Sequence, residues 1–169
     1  HKASKLSSEV TGIELERRVQ EYWSGSFNVF PSLEHVKGGG YNLITAFHVV
    51  EHLPDPRTLL KQLGDLLVPG GSLIVEVPSS EDALLTLFNC DSFQRFTYWS
   101  QHLFLFSSNT LKTLVNQSGL KLISIKQFQR YPLSNHLFWL SEGKPGGHKQ
   151  WSFLDTPQLK TAYANSLAT

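Results

Sequence analysis

An α/β fold with a doubly wound, mostly parallel sheet is predicted by three observations. Tyr41 to Phe47 (YNLITAF) is a nearly continuous apolar and β-branched run, the pattern of a strand covered on both faces. Past Pro54-Asp55-Pro56, the spacing of Leu59, Leu60, Leu63, Leu66 and Leu67 lays one apolar stripe along a helix. Pro69-Gly70-Gly71 stops that helix and turns the chain into Ser72 to Val77 (SLIVEV), a second strand closed by Pro78. Strands alternating with helices imply crossovers, and hence a parallel sheet with helices on both faces.

The other elements follow in order. Val10 to Ile13 is a β-prone run ending at Glu14, and Leu15 to Trp23 reads as a helix. Gly38-Gly39-Gly40 breaks the chain before the Tyr41 strand. Residues 79–106 carry Phe88, Phe93, Phe96, Tyr98, Trp99, Phe104 and Phe106, read either as an irregular helical cap over the strand ends or as a plain hydrophobic layer. Ser108 caps a helix through Leu111, Leu114 and Val115 that ends at Gly119. Leu120 to Phe128 alternates like a strand, and Leu133 to Leu140 is its expected partner, which gives an antiparallel C-terminal hairpin. The expected organisation is a domain over 1–140, with the cap at 79–106, and a loop plus peripheral helix over 141–169.

The 169 residues are 40% apolar and 17% charged, enough for one domain with its own core. A net charge of +1 argues against a nucleic-acid clamp, which needs a concentrated basic face. Cys90 is the only cysteine, so no internal disulfide or CxxC spacing exists and a reducing cytoplasm is the expected home. No apolar run approaches the ~18 residues of a membrane span, and no signal peptide is visible. The chain has no methionine and opens on His1-Lys2, the pattern of a fragment, a processed product or a trimmed chain.

Ligands of open parallel sheets bind outside the carboxyl ends of the strands, where Glu14, the Phe47 to His52 stretch and the residues after Pro78 fall. A carboxylate closing the second strand accepts both hydroxyl protons of an adenosine ribose, and Glu14 stands at such a place. The alternative is a helix N-terminal glutamate favoured by the dipole.

Here a resemblance enters. Tyr41 to Pro56 (YNLITAFHVVEHLPDP) resembles the fourth-strand motif of class I S-adenosylmethionine-dependent methyltransferases. Leu66 to Val75 (LLVPGGSLIV) resembles that family's turn and fifth strand, and Val10 to Glu14 its second strand with the ribose acid. Tyr98 to Ser107 is similar to the segment before its last crossover helix. The resemblance covers roughly residues 8 to 140 and implies a Rossmann-like fold, S-adenosylmethionine as cofactor and a small-molecule methyl acceptor modified on O, N or C. It places the adenosine between Glu14 and the Ser32-Leu33 turn, with Phe47 and His48 also on the cofactor side.

Two departures stand out. Asn42 follows Tyr41 where the family usually has an acid, and the glycine-rich first loop is absent. The ribose acid stands about 20 residues beyond that loop, which from Glu14 points upstream of His1. Gly38-Gly39-Gly40 precedes a strand instead of following one and reads as a turn. The first strand is therefore expected to be missing from this chain, leaving a gap that swapping, a homo-oligomer or an altered strand order would fill. The chain alone is expected not to bind S-adenosylmethionine appreciably.

The catalytic candidates are His52 and His102. Methyl transfer to oxygen or nitrogen needs a base, and imidazole suits neutral pH. His48 and His52 stand four apart around Glu51, which leaves three readings open: a base, a turn cap, or a partial divalent-metal set like that of related methyltransferases with ExxEH here. No metal is assigned. A histidine at the place of His102 often faces the acceptor in the family, and the alternative is a half-buried ring in an aromatic layer. Arg130, Tyr131, Asn135 and His136 are expected either in an acceptor pocket or on a polar hairpin surface. Cys90 has no neighbour that would activate its thiol. The competing function is a non-catalytic binding or scaffold module derived from the same fold.

Overall fold

Strand pairing divides the chain into two sheets. The computed structural model describes residues 7, 9–99 and 101–167, which fall into two units, 1–41 and 42–169. In the first, β1 (Thr11–Ile13) and β2 (Asn28–Phe30) run parallel, with Thr11 opposite Asn28 and Ile13 opposite Phe30. Helix α1 (Arg17–Trp23) makes the crossover between them. Gly12 is required there, because a Cβ would sit 2.9 Å from the Phe27 ring, which stacks on Trp23. A hydroxyl bond from Tyr41 to Thr11 (3.1 Å) closes the unit. Sequence periodicity did not reveal β2, because three residues are too few to carry one.

The second unit is built on β3 (Tyr41–Phe47), α2 (Pro56–Asp65) and β4 (Leu67–Glu76). β3 and β4 are hydrogen-bonded neighbours, and the His48 N–H donates to Glu76 O (2.9 Å), so the carboxyl ends of both strands lie side by side. Asp55 starts α2 by accepting from the Thr58 N–H (3.0 Å) and hydroxyl (2.6 Å), with Pro56 in the first turn. Those bonds hold the Asp55 carboxyl below its ordinary range. The helix buries Leu60 and Leu63 and ends earlier than the leucine stripe suggests: Leu66 caps it and Leu67 already belongs to β4. Pro69-Gly70 lies inside the β4 range, and Gly70 at φ +82 fits the third position of a type II turn.

Beyond β4 come α3 (Ala83–Thr86), α4 (Asp91–Thr97), α5 (Ser108–Gln117), α6 (Leu133–Glu142), α7 (Gly147–Gln150) and α8 (Pro157–Leu167). Two short helices thus stand where an irregular cap is expected, and Leu84, Cys90 and Trp139 form a core cluster with Phe93 against it. Ser107, one residue before the expected cap, closes α5 with a reciprocal Ser107–Thr110 capping box.

The C-terminal hairpin is corrected. Residues 120–130 form no strand, and the proposed partner strand is the helix α6. Its signals are Pro132 at the start, which cannot donate to a ladder, and Gly143 at φ +65, which ends the helix in the left-handed conformation. Asn135, Phe138 and Trp139, spaced three and four apart, are its buried face. Among the described residues, no helix is long and apolar enough to cross a membrane.

Candidate active site

In the first unit, the carboxyl ends of the parallel pair gather Glu14, Ser32 and Leu33. The Glu14 N–H donates to Phe30 O (3.0 Å), so Glu14 directly extends β1 beside the end of β2. Its Oε1 accepts the Glu16 N–H (2.8 Å) at the start of α1. Ser32 opens a 3-10 turn over Leu33–His35, and its hydroxyl meets His35 Nδ1 at 2.8 Å.

In the second unit, a cluster forms where β3 and β4 end. Phe47, half exposed, is the last residue of β3. His48 follows at φ +54, a strained conformation for a non-glycine residue and one that collects at functional sites. Its Nε2 approaches Glu76 Oε1 (3.1 Å) and accepts from the Arg130 guanidinium, which also reaches Glu76 (3.4 Å). A guanidinium only donates, so the hydrogen of a neutral His48 sits on Nδ1, 3.3 Å from Glu51 Oε1.

Val50 to His52 form a 3-10 turn in which Glu51 is fully buried; its Oε1 lies at ion-pair distance from His48 and His52, but neither carboxylate oxygen makes a hydrogen bond of good geometry. The turn is fastened to residues 101–104 by Leu103 N–H and Phe104 N–H donating to Glu51 O (2.9 and 3.2 Å). This docking brings the His52 and His102 rings to 4.9 Å. Carbonyl oxygens fix both tautomers: His52 Nδ1–H donates to Gln101 O (2.7 Å) and His102 Nδ1–H to Thr97 O (2.8 Å). Each Nε2 is thereby left with a lone pair, and His52 Nε2 lies 3.7 Å from Glu51 Oε1. One ring nitrogen from each histidine and one Glu51 oxygen all lie within 4.8 Å of one another, so the three residues could hold a metal ion.

The structure thus joins His48, Glu51, His52 and His102, and adds Glu76 and Arg130. Sequence reasoning missed Glu76, whose signal was a carboxylate closing a strand just before Pro78. Cys90 is buried against Ser92 and Trp139, away from this cluster's contacts.

The methyltransferase-domain family model matches residues 4–125, and the chain belongs to that family. The fold is similar to that of an S-adenosylmethionine-dependent methyltransferase from Thermotoga maritima (TM-score 0.59, 20% identity, 76% of this chain and 62% of that one). A methyltransferase-fold protein from Bacillus halodurans aligns over 94% of this chain and 74% of its own (TM-score 0.58, 12% identity). Ubiquinone biosynthesis O-methyltransferase of Xanthomonas axonopodis pv. citri is 27% identical over 86 residues, 51% of this chain and 33% of that protein. The chain spans about a third of the length of the curated relatives it matches. S-adenosylmethionine is the cofactor that family and fold imply.

Proposed function

We propose that this chain supplies part of an enzyme that transfers a methyl group from S-adenosylmethionine to a small-molecule acceptor, with a hydroxyl oxygen as the target. The observation that carries this is the His52–His102 pair, whose Nδ1 hydrogens are spent on carbonyls and whose Nε2 atoms keep lone pairs beside a buried carboxylate. The O-methyltransferase relatives support oxygen as the target. The half-exposed Trp99, whose ring centroid lies 5.8 Å from that of His102, supports an acceptor with apolar or ring surface.

When bound, S-adenosylmethionine supplies an electrophilic methyl on a cationic sulfur and leaves as the neutral thioether. The residues do the rest. In the first unit, Glu14 accepts from the ribose hydroxyls and Ser32 and Leu33 flank the adenosine. His52 Nε2 takes the acceptor's proton as the oxygen–methyl bond forms, and Glu51 at 3.7 Å balances the imidazolium. His102 serves the same proton from the facing ring. Holding acceptor and methyl in line supplies most of the acceleration.

The test is release of S-adenosylhomocysteine with a panel of phenols, hydroxy acids and sugars. His52→Ala and His102→Ala should each lower turnover by about a hundredfold or more, with calorimetric affinity for S-adenosylmethionine unchanged. Full turnover in both variants overturns the assignment.

A second reading is favoured by the two buried oxygens of Glu51, which lack hydrogen bonds: Glu51, His52 and His102 hold a divalent cation, with nitrogen-rich ligation suited to zinc or another late first-row metal. Calorimetric binding of the metal, lost in Glu51→Gln, would establish it. Turnover unaffected by prior chelation would exclude it.

A further inference from the structure

A second feature of the 42–169 unit lies beside this cluster: a cavity of about 460 Å³ whose walls include Arg130, Tyr131, His148, Asp155, Lys160 and Tyr163. Its size is that of a small-molecule site. The hydrogen-bonding pattern of its walls identifies what it would take. Asp155 is turned away: Oδ2 accepts the Ser134 hydroxyl (2.7 Å), and Oδ1 is covered by protein. Tyr163 is aimed the other way by a chain of donors. The Gln129 amide nitrogen donates to His136 Nε2 (3.0 Å), so the hydrogen of this buried ring sits on Nδ1 and donates to the Tyr163 oxygen. The phenol O–H is thereby left to point elsewhere, and burial keeps it protonated by pushing its pKa up to about 12. His148 Nδ1 donates to Asn135 Oδ1 (3.3 Å), and Lys160 makes no ion pair among the described residues.

The open polar atoms of the cavity are therefore mostly donors. Of the two cations in the walls, Arg130 is paired with Glu76 and Lys160 makes no ion pair among the described residues, so Lys160 is the one positive charge of the walls left open to a ligand, with Asp82 acting on Tyr163 from outside them. That is the complement of a monoanion, and a planar carboxylate can take the Tyr163 hydroxyl and the Lys160 ammonium together. Arg130 belongs to both places, since it lines the cavity while its guanidinium holds His48 and Glu76.

We propose that this cavity binds a carboxylate and anchors a methyl acceptor that carries one, with Tyr163 and Lys160 as the binding groups and Arg130 as the link to the histidine cluster. The acceptor part of this inference rests on the methyltransferase reading, and the binding part does not.

The experiment titrates the chain with benzoate and with benzamide, its uncharged analogue, following ring-proton shifts. Benzoate should bind at least tenfold more tightly than benzamide. Tyr163→Phe and Lys160→Met should each weaken benzoate about tenfold while leaving S-adenosylmethionine affinity unchanged; Lys160→Met should also leave the melting temperature unchanged, whereas Tyr163→Phe lowers it because the buried His136 Nδ1–H loses its acceptor. Equal binding of the two probes, or benzoate binding indifferent to both variants, overturns the proposal. In turnover assays, hydroxybenzoates should outperform hydroxybenzamides, and equal rates overturn the anchoring role. Benzoate binding without any methyl transfer would overturn the enzyme reading alone and support the carboxylate site.

Discussion

Glu51 is a carboxylate with 0% exposure and no hydrogen bond, which is costly unless something in the working protein uses the charge. Replacing it with the uncharged isostere separates stability from function. Glu51→Gln should stabilise the fold by about 1–3 kcal/mol, the cost of an unsatisfied buried group, while turnover falls at least tenfold. Denaturant titration and S-adenosylhomocysteine release measure the two effects, and a less stable variant with intact turnover would make Glu51 a structural residue. Glu14 makes a complementary case at the other unit. Its carboxylate spends Oε1 on the start of α1 and keeps Oε2 for a ribose hydroxyl; in the full-length protein Glu14→Ala should weaken S-adenosylmethionine binding by about 1–3 kcal/mol if that bonding is lost. Unchanged calorimetric affinity would remove Glu14 from the cofactor site.

Among the elements, α6 and α7 show the tightest fit. A Cβ on Gly147 would lie 2.1 Å from Ser134 O and 2.6 Å from Phe138 Cβ, and both neighbours belong to α6. Neither is the loose end of a side chain, so the helices would have to separate. Gly147→Ala should cost about 1–3 kcal/mol by overpacking, read as a lower denaturation midpoint at unchanged slope. An unaffected midpoint would show that α7 shifts freely. The same region shows where the sequence was legible and where it was not. Tyr41–Phe47 is a strand as its β-branched and apolar run predicts, although only Ala46 is buried and the strand is not covered on both faces; α2 begins at its Asp-Pro signal, because capping acts within a few residues. Leu133 to Leu140, expected as the partner of the alternating Leu120 to Phe128 run, is instead a helix punctuated by Pro132 and Gly143. The candidate site was legible in its residue types and not in its pairings. His52 meets His102 only because residues 103 and 104 bond the Glu51 carbonyl, and Arg130 reaches His48 across 82 positions.

For the whole molecule, three groups set the pH range of stability, and each sign can be worked out. Burial lowers the His136 pKa from 6.5, partly opposed by the charge of Asp82. As pH falls through about 6.5 the unfolded chain takes up a proton that the folded ring refuses, so stability declines on the acid side. Asp55, held low by its Thr58 bonds, adds to that decline further down: its contribution is present above the unfolded value of 3.8 and is lost as pH drops through the lower folded one. Tyr163 acts at the other end. Its pKa rises from 10.0 to about 12 through burial and the nearby Asp82, so between those values the unfolded chain ionises first and stability falls as pH rises. Melting temperature against pH should therefore show a plateau from about 7 to about 10 with a shoulder lost on each side. His136→Gln, which keeps a hydrogen-bonding side chain but cannot titrate, should flatten the loss below pH 6.5. Tyr163→Phe should flatten the loss above 10 and leave the acid side unchanged. An acid limb as steep in His136→Gln as in the parent chain would remove His136 from the groups that set it.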